Sequence, residues 1–314
     1  MIDKFNRGAG FEAKDNSKID GFKSRNLGEM TRYAIDQIKC RYELAKRNEP
    51  QLLGIPTGFI DIDKVTFGLR PGIAVVGARP EISMTDFALN IALSASQGYK
   101  VAYFCPGFDA KLLSERIVAM TTWIRFSDIV TGEFIAERDF SRMNEAAKRL
   151  KDSNLTFVDH SLDAQSFYNE CTQILEEKGL DLIVLDKLQS LYPFKDSSGE
   201  SFYWRAREVA SFIHDLKSEH GLTLLVLSEI KKRKNKEARL TTEDLRDFGT
   251  LEYDAYPIFL LERASEEPYR PFENDWTPVI VHIENNPIGI RSIDVPLNYI
   301  MSYGRYETPA KIED

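Results

Sequence analysis

Beyond Pro50 the chain alternates short apolar runs with longer stretches whose apolar residues recur every three or four positions. The runs Ile73–Val76, Val101–Phe104, Leu155–Val158, Leu182–Leu185, Leu222–Leu227 and Ile258–Leu261 have strand length and little polar alternation, the pattern of strands covered on both faces. Helical spacing occupies 85–97, 110–124, 139–151, 165–178 and 203–219, between most of them. Strands joined by helices predict an α/β domain: a mostly parallel, twisted sheet with helices on both faces. Later, Val279–Glu284 and Ile290–Val295 flank Asn285-Asn286-Pro287-Ile288-Gly289, whose turn-forming residues predict a closing antiparallel hairpin.

The N-terminal pattern is different. Leu27, Met30, Ala34, Ile38, Tyr42 and Ala45 form one helical stripe, and Asn48, Glu49 and Pro50 end it, because a proline disfavours helical geometry in the residue before it. Residues 1–26 are polar and poor in aliphatics, too apolar-poor to offset ordering entropy, and read as a flexible tail. The expected organisation is a tail at 1–26, an amphipathic helix at 27–50 lying outside the core, and one domain at 51–314.

Charge narrows the classes. A net charge of -8 argues against general attraction to nucleic acid or an anionic membrane, so phosphate binding has to be local. Three separated cysteines and four scattered histidines suggest neither a disulfide framework nor a zinc site. The N-terminus lacks the apolar core of a signal peptide, and no stretch approaches the roughly 18 apolar residues of a membrane span, so a reducing cytoplasm is the expected location.

The first core strand runs into Ala78-Arg79-Pro80-Glu81-Ile82-Ser83-Met84-Thr85 and then a helix, the strand–turn–helix context of a phosphate-binding loop. Against the spacing GxxxxGK[ST], Ser83 replaces the second glycine, Met84 replaces the lysine, and Thr85 alone fits. Glu81 and Asp86 are expected to add negative charge where an anion would sit.

Five stretches, GIPTGFIDIDKVTFGLRPG (54–72), GARPEISMTDFALNIALSAS (77–96), LDLIVLDKLQSL (180–191), LLVLSEIKK (224–232) and TTEDLRDFGTLEYDAYPIFLLER (241–263), resemble in order the motor domain of the DnaB family of hexameric replicative DNA helicases. The resemblance spans about residues 27–308 and implies a RecA-like P-loop NTPase core. The helix at 27–47 resembles the linker helix by which such subunits dock on a neighbour, and the family's helical N-terminal domain, which receives primase, is not among the matching stretches.

Carried over residue by residue, the resemblance puts Met84 where the family has its Walker lysine, Gly107 of FCPGFD (104–109) where it has a general-base glutamate, and His282 and Glu284 of HIENNPIG where a lysine and an arginine finger reach a neighbour's nucleotide. What survives is Thr85, the Walker B aspartate Asp186, Gln189 and Ser228, with Glu229 in place of the usual glutamine. Arg79, Ser83, Thr85, Asp186 and Gln189 thus outline a vestigial nucleotide and Mg2+ site, and no intact catalytic set is expected. Asp186 reads either as a magnesium ligand or as a hydrogen-bond anchor for the loop. Lys187 is open to an ion pair with a nearby acid.

The dense cation run Lys231, Lys232, Arg233, Lys234, and Lys236 beyond it, follows the fifth strand, where the resemblance points toward the channel of a ring; it reads as a DNA-backbone contact or as a solvated loop. Tyr203, Trp204, Arg205 and Arg207 open a helix that the family keeps near its DNA path, although an aromatic anchor under a loop is the simpler reading. Cys105 reads as a buried small residue and His282 as a strand residue without chemistry. Three functions follow: a non-hydrolysing binding or regulatory protein that associates with itself or with a functional helicase subunit, with single-stranded DNA as a further partner; an active ATP- and Mg2+-dependent 5′-to-3′ helicase with unusual site residues; or a decayed mobile-element remnant.

Overall fold

The computed structural model describes residues 26–47, 52–79, 81–191, 207–208, 210–212, 214–216, 220–231, 239–246, 254–264, 276–286 and 292–309. Its helices are α1 (Leu27–Lys46), α2 (Ile60–Thr66), α3 (Met84–Ala95), α4 (Ala110–Thr122), α5 (Phe126–Thr131), α6 (Glu137–Lys151) and α7 (Ala164–Lys178). Its strands are β1 (Gly72–Ala78), β2 (Val101–Phe104), β3 (Leu155–Val158), β4 (Leu182–Leu185), β5 (Thr223–Glu229), β6 (Ala255–Arg263), β7 (Thr277–Glu284), β8 (Ser292–Ile300) and β9 (Arg305–Glu307).

One sheet contains them in the order β3-β2-β4-β5-β1-β6-β7-β8-β9. The six strands expected to be parallel are parallel, and β7, β8 and β9 complete the sheet antiparallel. The two-residue period of a strand divides the core between the two faces. Ala74, Val76, Tyr103, Val184 and Leu225 pack toward α3 and α4, whereas Ile73, Val75, Phe104, Ile183 and Leu224 pack toward α7. In α3, Phe87 is fully buried; it stacks on Phe59 at 5.1 Å and meets the rings of Tyr306 and Phe259 edge-on at 5.3 and 6.1 Å.

Helical boundaries differ from expectation in physical detail. Trp123 adopts a left-handed backbone at φ 60° and stops α4, after which α5 forms a separate short helix closed by Gly132 at φ 72°. The short α2 went unanticipated, because seven residues hold too little periodicity to be separated from a turn. Asn26 caps α1 by accepting from the Gly28 N–H at 2.7 Å. No residue of α1 is buried, and Leu27, Met30, Tyr33, Ile38 and Tyr42 are all exposed. Among the described residues, no helix is long and apolar enough to cross a membrane.

Candidate functional site

In an open α/β sheet, ligands bind outside the carboxyl ends of the parallel strands. Here β1, β4 and β5 deliver their C-termini side by side, and the sequence-selected residues lie on the segments that leave them. β1 ends at Ala78; α3 begins at Met84. Ser83 caps α3, its Oγ accepting from the Asp86 N–H at 3.1 Å. Met84 is half-buried and packs against the core cluster beneath α3. Arg79 turns aside: its Nε lies 3.3 Å from Glu262 Oε2 of β6.

Asp186 follows β4 and is 1% exposed. The Tyr103 hydroxyl donates to its Oδ2 at 2.9 Å, while Oδ1 has no hydrogen-bond partner. Burial raises the Asp186 pKa, and the hydrogen bonds from Thr85 and Tyr103 oppose that rise. Burial, with Asp186 and Asp159 nearby, pushes the Cys105 thiol up to about 12, so it rests as the small protonated side chain expected.

A second cluster joins the ends of β4 and β5. Lys187 Nζ meets Glu229 Oε1 at 2.7 Å, and Arg246 Nη1 meets Glu229 Oε2 at 3.0 Å. Gln189 donates to Ser228 Oγ at 3.3 Å and to the Arg246 carbonyl at 3.0 Å, and accepts from the Glu229 N–H at 3.2 Å. The hydrogen bond from Lys187 is the main cause holding the Glu229 pKa below the usual carboxylate range. Lys187 therefore has the acidic partner left open in the sequence.

Asp86 does not face an anion site. It is 1% exposed, paired with Arg116 Nη1 of α4 at 2.6 Å, and accepts from the Tyr299 hydroxyl of β8 at 2.6 Å. Its charge ties α3 to α4 and β8, and Asn90 reinforces the tie by donating to the Gly304 carbonyl at 2.9 Å. Position 107 also has a backbone reason for its residue: Gly107 sits at φ +79°, a left-handed conformation that strains any L side chain, although no atom lies within 4 Å of a Cβ placed there.

Glu284 ends β7 with its carboxylate 3.1 Å from Arg239 Nη2. Lys231, first of the cation run, donates through Nζ to the Glu243 carbonyl at 2.9 Å, so its ammonium is engaged within the chain. Arg207 is exposed on a helical stretch; Lys232, Arg233, Lys234, Lys236, Tyr203, Trp204 and Arg205 lie outside the described residues.

A family model for the DnaB-like helicase C-terminal domain matches residues 54–308. The chain belongs to that family. It is 28% identical over 294 residues to the replicative DNA helicase DnaB of Geobacillus stearothermophilus, covering 90% of this chain and 62% of that protein. The replicative DNA helicase DnaC of Bacillus subtilis gives 28% over 293 residues with the same coverage, and the probable plasmid replicative DNA helicase of Chlamydia muridarum 26% over 263 residues, covering 81% and 56%. This DnaB-like chain thus spans about 62% of the length of the first two relatives. Among solved structures, an ATPase domain superposes with a TM-score of 0.74 at 22% identity, over 88% of this chain and 98% of that one. A DnaB-like replicative helicase, from a structure that also treats its interactions with primase, gives 0.72 at 22% identity, over 87% and 68%. These likenesses establish the RecA-like fold.

Two parts of the DnaB-like site escaped the sequence. Tyr103 reads as an ordinary apolar strand residue, and its hydroxyl contact with Asp186 needs the β2–β4 register, Tyr103 opposite Val184, to become visible. His282, expected to be chemically idle, is clamped between Glu262 and Asp294 at 2.7 Å on each ring nitrogen. Its signal was present in the hairpin, because pairing β7 with β8 sets His282 opposite Asp294 and Glu284 opposite Ser292.

Proposed function

We propose that this DnaB-like chain acts in DNA replication by binding rather than by turning over ATP, associating with itself or with a functional helicase subunit in the cytoplasm. The observation that carries this reading is Met84 at the first position of α3, an apolar side chain packed on the core where phosphate chemistry needs a cation. Phosphoryl transfer depends on charge stabilisation and positioning. Supporting it, the nearby cations have carboxylate partners: Arg79 has Glu262, Arg116 has Asp86, and Lys187 and Arg246 share Glu229. Ser83 Oγ already accepts the capping bond from the Asp86 N–H.

The residues present fit a cofactor only in part. The bare Oδ1 of Asp186 beside the Thr85 hydroxyl suits a hydrated divalent cation, whereas the loop offers a triphosphate no lysine. Gly107, Met84 and Glu284 leave no general base, Walker lysine or arginine finger at the expected positions. The association surface in this reading is α1, which keeps its whole apolar stripe in solvent. Single-stranded DNA would be held by Lys232, Arg233, Lys234, Arg205 and Arg207, Lys231 being engaged on the Glu243 carbonyl.

Isothermal titration with ATP and Mg2+, with phosphate release measured with and without single-stranded DNA, tests the proposal. No turnover and no micromolar nucleotide binding are expected. The retained Asp186–Thr85 pair favours one competing reading, an active ATP-dependent 5′-to-3′ helicase; DNA-stimulated hydrolysis abolished by Asp186→Ala would establish it in place of ours.

A further inference from the structure

The antiparallel end of the sheet keeps one face in the core, through Val279, Val281, Ile283, Val295 and Leu297, and carries a chain of charges on the other. His282 is at its centre and is buried. Its Nε2 lies 2.7 Å from Glu262 Oε1, and its Nδ1 lies 2.7 Å from Asp294 Oδ1. A neutral imidazole has one N–H, so two ionised carboxylates at hydrogen-bond distance are both satisfied only by the imidazolium. The groups facing it come from five directions. Glu262 comes from β6, with Arg79 of the β1–α3 loop behind it at 3.3 Å. Asp294 comes from β8, and Glu284 from β7 itself. Arg239 reaches Asp294 at 2.8 Å, Glu284 at 3.1 Å and Ser292 at 2.9 Å.

We propose that His282 is a proton-linked clasp: as an imidazolium it fastens the Glu262–Arg79 pair to the Asp294–Arg239 pair, and loss of one ring proton ends the contact with Asp294, so that the antiparallel end of the sheet is held less firmly when the ring is neutral. The Asp294 side opens first because its carboxylate is 45% exposed, so water replaces the lost donor, whereas Glu262 is 17% exposed and keeps the remaining N–H. The clasp therefore links protonation to the firmness of the antiparallel end of the sheet, independently of whether nucleotide is bound or hydrolysed.

The two carboxylates raise the His282 pKa above its ordinary value, against the opposing effect of burial. A raised folded pKa stabilises the closed clasp fully below about pH 6.5, and the contribution disappears as pH rises through the folded value. The test is a histidine ring NMR titration of the full chain, with His282 assigned from His282→Gln, beside urea denaturation of the wild type and the variants from pH 5.5 to 9. His282 should titrate above about 6.5 with both nitrogens protonated below its midpoint. The folding equilibrium constant, taken relative to His282→Gln, should fall from low to high pH by about threefold for every half unit of that elevation. Asp294→Asn, at the exposed rim, should lower the His282 pKa and flatten the pH dependence, as should His282→Gln. The clasp is refuted if His282 titrates at or below 6.5, or if either variant keeps the wild-type pH dependence of stability.

Discussion

Replacing Asp86 with Asn separates two roles for a carboxylate beside a phosphate-type loop. Were Asp86 an anion-repelling group, neutralising it would leave stability intact and improve phosphate binding. In the folded chain it is buried, 2.6 Å from both Arg116 and the Tyr299 hydroxyl, and removing its charge strands an Arg116 guanidinium that is 23% exposed. Breaking a buried ion pair from one side costs about 3–5 kcal/mol. The residual exposure of Arg116, and the Phe126 ring 5.0 Å from its guanidinium, place the expected loss at the lower end, about 3 kcal/mol. At roughly 2–4 °C per kcal/mol, the midpoint of thermal unfolding should drop by about 6–12 °C. Urea denaturation followed by circular dichroism measures the loss directly. Tyr299→Phe should cost about 1–2 kcal/mol, and the double variant should cost less than the sum of the two, since both act on one carboxylate. A loss below about 1 kcal/mol for Asp86→Asn, or full additivity with Tyr299→Phe, would refute the assignment of Asp86 to the fold.

Phe87→Ala removes a fully buried ring from an aromatic cluster and should cost about 3–5 kcal/mol in the same denaturation experiment. Glu229→Gln should cost less than about 1 kcal/mol, because its ion pairs are about a third exposed. With the folded Glu229 pKa depressed, that cost should be present above about pH 4.5 and vanish as pH falls through the folded value, which stability curves from pH 3 to 7 will show. Gly54→Ala should be strongly destabilising, since its Cβ would collide with the Leu69 carbonyl, and thermal melts will register it. Ile38→Asp, on a helix with no buried residue, should leave the melting temperature within about 1 °C while weakening any self-association seen by sedimentation.

The parallel strands were legible because strands covered on both faces have to be continuously apolar; Val101–Phe104 and Leu182–Leu185 appear with the boundaries their composition implies. The closing hairpin was legible from Asn285 and Asn286, but β8 extends to Ile300, through Pro296, because its partner β7 continues to Thr277 and supplies a pairing surface that no local pattern encodes. At the site, residue identities were readable and relationships were not. Met84 can be set against a spacing rule and Gly107 against the family resemblance, while the positive φ at Gly107 comes from the turn before α4. Asp86 was misjudged because proximity in sequence to the loop says nothing about direction: one turn into α3, its side chain meets Arg116 and Tyr299, thirty and more than two hundred residues away. His282 was undervalued because its chemistry belongs to three strands together.

Nucleotide affinity and turnover of the wild-type chain, measured beside Met84→Lys, bear most directly on the proposal that the loop has lost the cation on which phosphate binding depends. Lysine at the start of α3 would supply one charge-assisted contact to phosphate, about 1.5–3 kcal/mol or roughly 10- to 150-fold in affinity. The expected result is no measurable ATP binding or hydrolysis by the wild type, and binding without turnover by the variant, since Gly107 and Glu284 stay as they are. Micromolar ATP binding with steady phosphate release by the unaltered chain would contradict it.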